Sequence, residues 1–128
     1  MLEKALGRKA VADALLERTA KELGELLRAA AQELDPFPPF PGSFFTYAIE
    51  AEPGAAGRPD RGCIVVCPDG ELYELVVSMD FSGPYADLMA ARNEDLRPAH
   101  LPPQDYIVYA YNALAEITGL LLERQGKA

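Results

Sequence analysis

Three hydrophobic patterns divide the chain. From Leu2 to Leu34 the apolar residues recur at helical spacing. Leu16, Ala20, Leu23, Leu27, Ala30 and Leu34 follow at intervals of 4-3-4-3-4, the heptad-type seam of a helix with one buried stripe. The residues between are mostly Ala, Leu, Glu, Lys and Arg, which favour helix. Continued towards the start, the register meets Asp13, Lys9, Leu6 and Leu2, so the seam is clean only in its second half. Asp35-Pro36 ends the helix, because a residue before Pro avoids the α region. Such a seam packs on the chain's own sheet or on a partner's helix, and the pattern alone permits both.

The second pattern alternates. Phe45, Tyr47, Ile49 and Ala51 interleave with Thr46, Ala48, Glu50 and Glu52, which predicts a strand over 44–52. Gly62 to Phe81 then reads as a β-hairpin about Cys67-Pro68-Asp69-Gly70-Glu71. Pro presets φ for a type I turn, and Gly supplies the left-handed residue that closes it. Pairing Cys67 with Glu71 sets Val65 against Tyr73 and Cys63 against Leu75. One face then carries Cys63, Val65, Tyr73, Leu75, Val77 and Met79, and is expected to be the core face. The other carries Ile64, Val66, Leu72 and Val76 beside Glu74, Ser78 and Asp80. It is too apolar for open water and needs a helix or a partner along part of its length.

The third pattern is a closing helix, Gln104 to Gln125, with Gly126 as its stop. Ile107, Ala110, Leu114, Ile117 and Leu121 form its stripe, widened by Tyr106, Val108, Tyr111, Leu120 and Leu122. Between these patterns lie connections. Asp35 to Gly42 is a stiff Pro-rich linker with PxxP spacing, read as a structural connection whose two Phe rings pack on the core edge. Pro53 to Arg61 reads as a mobile loop. Ser82-Gly83-Pro84 opens a short helix over 85–91, and 93–103 reads as irregular, a stretch that permits a fourth short strand without signalling one. The predicted architecture is one α+β domain. It has a long N-terminal helix, a three-stranded antiparallel meander, a short helix and a long C-terminal helix packed on the sheet.

Charge narrows the function. The chain has 128 residues and a net charge of −8, with 49% hydrophobic residues. Residues 1–34 hold six basic and six acidic side chains, so the whole −8 lies beyond them. That sign argues against nucleic-acid binding. No apolar core follows the charged start, so no secretory leader is expected. No run is long and uncharged enough for a membrane span. Two cysteines without a leader suggest a reducing cytoplasm. The Ala, Leu, Glu, Arg and Pro bias without Trp suggests a GC-rich bacterial genome.

Candidate chemistry is sparse. Cys63 and Cys67 sit four residues apart on one strand, ~13 Å at about 3.3 Å per residue. That is too far for a disulfide or a shared zinc. His100 is the only histidine, so no metal or other cofactor is expected. The acidic loop residues follow no calcium spacing, and no phosphate-cradling or nucleophile motif occurs. One polar stripe stands out. Tyr109, Asn112 and Glu116 fall at i, i+3 and i+7 on the last helix, with Asp105 before them and His100 near its start. Facing a cavity, a phenol, an amide and a carboxylate would make a small-ligand site; facing water, they are a solvated helix face.

Two functional readings follow. The first is a small acidic non-enzymatic interaction module, an adaptor or chaperone-like homodimer. The second is a small-ligand-binding protein or enzyme built on His100, Tyr109, Asn112 and Glu116. The homodimer expectation rests on length and on two surfaces that want cover, the Leu16–Leu34 seam and the sheet face of Ile64, Val66, Leu72 and Val76: residues 2–34 as one helix span ~50 Å at 1.5 Å per residue, which overshoots a compact domain of this size. Either the helix breaks, with Gly7 and Gly24 the expected places, or its excess length finds another surface.

Overall fold

The first helix does not break. In a computed structural model of the chain, which describes residues 1–79 and 92–126, α1 runs unbroken from Leu2 to Glu33. Gly7 sits in open space, and Gly24 is a notch. The Tyr106 hydroxyl lies 2.9 Å from where a Cβ on Gly24 would stand, so this glycine lets the last helix approach α1 closely. The last helix, α2, spans Pro103–Gly126 and starts with Pro at its first position. Pro103 and Gln104 lie beside Asp13, Leu16 and Glu17, and Arg124 donates to the Pro36 carbonyl at 2.6 Å. The two helices therefore run parallel, side by side from Leu16 onwards.

The sheet is antiparallel, with the order β1-β2-β3-β4. Its strands are β1 (Ile49–Glu50), β2 (Cys63–Val66), β3 (Leu72–Met79) and β4 (Arg92–Pro98). The hairpin has the predicted register, Val65 against Tyr73 and Cys63 against Leu75. Its turn has Gly70 at φ 78°, with the Gly70 N–H donating to the Cys67 carbonyl at 2.8 Å.

Four features differ from expectation. β4 is a fourth strand in a stretch read as irregular. Its sequence, RNEDLRP, carries charge rather than alternating apolar residues, as suits an edge strand. The long β3 template fixes its pairing over seven residues. The first strand is shorter than 44–52, because residues 43–46 curl around Glu94 instead of extending. The loop 53–61 is tied down: it holds a short 3-10 turn, Gly54–Ala56, and Arg61 anchors it to α2. Lastly, the two sheet faces exchange roles. Ile64, Val66 and Leu72 pack with Leu27, Ala31, Ala110 and Ile117 in the main core. The face expected to lead the core holds a smaller cluster of Val65, Cys67 and Leu75 with Ala48. The short helix read over 85–91 lies outside the described residues.

The Pro-rich linker covers that second face as a strap. Phe37 joins the main core and Phe40 packs on the smaller cluster. The Phe40 N–H donates to the Thr46 carbonyl at 2.9 Å, and the Ala48 N–H to the Pro38 carbonyl at 3.2 Å. Its far end is held by Glu94 of β4. That carboxylate accepts from the Ser43 and Thr46 hydroxyls at 2.5 and 2.8 Å, and from the Phe44 and Phe45 N–H groups at 2.7 and 3.1 Å. Burial pushes the Glu94 pKa up, but those hydrogen bonds outweigh it and hold the carboxyl at about 2.

Candidate functional site

The four residues of the predicted small-ligand site, His100, Tyr109, Asn112 and Glu116, do not converge. Tyr109 is only 2% exposed and belongs to the main core. The Arg61 guanidinium carbon lies 5.7 Å from its ring centroid. Arg61 donates to Asp105 Oδ2 at 3.1 Å and to the Ala56 carbonyl at 2.8 Å. Arg58 adds a longer contact of 3.7 Å to the same carboxylate oxygen. Hydrogen bonding to Tyr109, and then to Asp105, raises the Arg61 pKa against the effect of burial. The cluster is thus a structural clamp: a largely buried charge pair that fastens the 53–61 loop to the first turn of α2.

Asn112 is also committed, donating from Nδ2 to the Glu52 carbonyl at 2.8 Å. His100 is exposed and lies at another place, in a hollow of about 290 Å³ with Glu74 and Arg97. Only Glu116 reaches a sizeable groove. That groove measures about 470 Å³ and is lined by Pro38, Phe40, Ile49, Glu50, Glu52 and Glu116 among others. It wraps the outer edge of β1. Ile49 pairs with Val66, and the Ala51 N–H donates to the Ile64 carbonyl. Ladder alternation therefore turns the Glu50 backbone outward, into the groove. Proline, phenyl and isoleucine walls beside three carboxylates suit an aliphatic or peptide chain carrying positive charge. Glu50 and Glu52 stand two apart in the stretch predicted as a strand over 44–52, a spacing that predicts one face for both, although β1 itself ends at Glu50. The strap that makes the opposite wall gave no such signal.

Both cysteines are free. Burial, and then Glu50, pushes the Cys63 thiol up to about 11, and burial followed by Asp69 does the same for Cys67. Both stay protonated at neutral pH and are poor nucleophiles. Among the described residues no group of three or more His, Cys, Asp or Glu could hold a metal ion. Nor is any helix there long and apolar enough to cross a membrane.

Among the described residues, the first half of α1 is a long exposed surface. The seam expected between chains is used inside this one: Leu27 is 0% exposed, with Ala31 and Leu34 at 2%. Residues 1–15 are all exposed, including Leu2 at 73%, Leu6 at 62% and Leu15 at 57%. They form an arm ~21 Å long at 1.5 Å per residue. The chain matches no protein-family model, no curated protein and no solved structure.

Proposed function

We propose that the protein is a small acidic interaction module, non-enzymatic, that acts as an adaptor or chaperone-like homodimer. The observation that carries this reading is the arm. A helix that continues some four turns past its own domain, with leucines on its surface, gains nothing within one chain. Those side chains would each contribute roughly 1.5–3 kcal/mol on full burial. Two-fold pairing is the commonest way to bury such a surface. The protonated thiols and the dispersed polar residues fit a non-enzymatic role. Sedimentation equilibrium from 1 to 100 micromolar tests it. A dimer mass that falls to one chain in Leu2→Glu plus Leu6→Glu supports the reading, and a single-chain mass at 100 micromolar defeats it.

The β1 groove favours a second reading, as a binding site for a ligand. An extended segment bearing Lys or Arg could add to the β1 edge, with its cations on Glu50, Glu52 and Glu116. A lysine-rich peptide that shifts the NMR signals of these residues would support it. No shift at millimolar peptide would remove it.

A further inference from the structure

The arm has a matching receptacle on the same molecule. Leu2, Leu6, Asp13, Glu17, Ala20 and Gly24 lie in one row along α1, spaced 4, 7, 4, 3 and 4, as residues on one helix side do. Beyond Leu6, two hollows open on that side, next to the first turn of α2. One of about 190 Å³ is lined by Asp13, Leu16, Glu17, Pro103 and Gln104. The other, of about 300 Å³, includes Ala20, Lys21, Gly24, Pro103 and Tyr106. They share Pro103, so together they make one trough along α1 from Asp13 to Arg28. At 1.5 Å per residue the trough is ~22 Å long, and an arm of residues 2–12 is ~16 Å.

From this we infer that the arm of one chain docks antiparallel into the trough of a second copy, and the reverse, about a two-fold axis near residues 11–12. The inference rests on the homodimer reading above. Charge sets the direction. The arm carries Glu3, then Arg8 and Lys9, while the trough carries Asp13 and Glu17, then Lys21. Antiparallel docking lays the partner's Lys9, which shares the side of Leu6, over Asp13, and the partner's Glu3 near Lys21. The partner's Leu6 and Leu2 then meet Leu16, Ala20, Pro103 and Tyr106. Parallel pairing in register would put Lys9 on Lys9 and Asp13 on Asp13, which is unfavourable. Within one chain Lys9 pairs with Asp13 at 2.5 Å; in the dimer each exchanges that partner for its counterpart across the axis.

Two measurements test the geometry, on full-length chains carrying Cys63→Ala and Cys67→Ala. Leu2→Cys and Ala20→Cys are introduced separately, and the chains are oxidised alone and mixed. The expected result is a cross-linked dimer in the mixture only. Cross-linking of Leu2→Cys alone would show parallel arms, and no cross-link in a protein that sediments as a dimer would show another interface. Either overturns the inference while the homodimer reading stands. A monomer in sedimentation would end both. The second measurement is side-specific. Leu6 and Leu15 are nine positions apart, about 180° around the helix. Leu6→Glu should raise the dimer dissociation constant ~100-fold or more, and Leu15→Glu should change it less than ~3-fold. The opposite order would move the interface to the other side of α1 and overturn the inference.

Discussion

Gly70 joins the hairpin to the long helix, and two constraints meet at it. Its φ of 78° is left-handed, which costs other residues about 1–2 kcal/mol. A Cβ there would also stand 2.4 Å from the Arg28 Cα, and that atom belongs to the backbone of α1 and cannot swing aside. Gly70→Val should lose about 3–5 kcal/mol when steric overlap is added to the backbone cost. Gly119→Ala, at an exposed helix position with nothing within 4 Å, should gain up to about 1 kcal/mol. Urea denaturation of both checks this, and a loss under 1 kcal/mol for Gly70→Val would contradict the close approach. The turn itself was legible, because Pro-Asp-Gly specifies it locally. The crowding was not, since Arg28 lies 42 positions away. Glu94 was illegible for the same reason: its partners are Ser43 to Thr46, and no local pattern marks a carboxylate as the anchor of a distant strap. Its folded pKa, about 2, lies below the ordinary value near 4.5, so the unfolded chain binds more protons between them. The Glu94 contribution is therefore fully present above about pH 4.5 and is lost as pH falls through about 2. Glu94→Gln should cost about 1–3 kcal/mol at neutral pH and flatten the fall in stability below pH 4.5. An unchanged acid slope in that variant would show that the strap is held elsewhere.

At the scale of elements, legibility followed how local the cause is. Both long helices, the hairpin and its register follow from residues within each element. β4 does not, because its pairing comes from the length of β3 and not from its own charged sequence. The loop 53–61 was misread for a related reason. Gly and Pro mark it as a connection, but its stiffness comes from Arg61 reaching Asp105 on α2. For Tyr109 and Asn112 the sequence left a cavity and open water as alternatives, because the loop that covers them is polar in sequence and close only in space. The clamp should behave as a coupled unit. The side chains of Arg61 and Asp105 are 14% and 11% exposed, so their pairing is only weakly screened. In a double-mutant cycle with Arg61→Met and Asp105→Asn, the coupling should be about 1.5–3 kcal/mol. A coupling near zero would mean that packing, and not the ion pair, fastens the loop.

For the molecule as a whole, the charge and the contacts divide the chain differently. The −8 lies beyond residue 34, whereas the packed body begins within α1, near Leu16. The arm before it is helical by continuation. An isolated helix of its length is marginal in water, but here every turn adds to one already fixed on α2. Met1 offers no side-chain cap, and Glu3 adds only its favourable charge to the first turn. On the homodimer proposal, such a segment is neutral for the fold of one chain and matters for assembly. Removing residues 1–12 should therefore leave the body intact: in dilute solution the melting temperature should move by less than ~2 °C, within the small effect of exposed residues. At higher concentration the two proteins should part. A dimer that binds only folded chains stabilises by mass action, so the melting temperature of the full chain should climb with concentration. That of the shortened chain should stay level. Calorimetry at 5 and 500 micromolar makes the comparison. If the shortened chain melts far lower when dilute, the arm is part of the body. If both chains climb equally, the dimer is built from another surface and the arm has a different task.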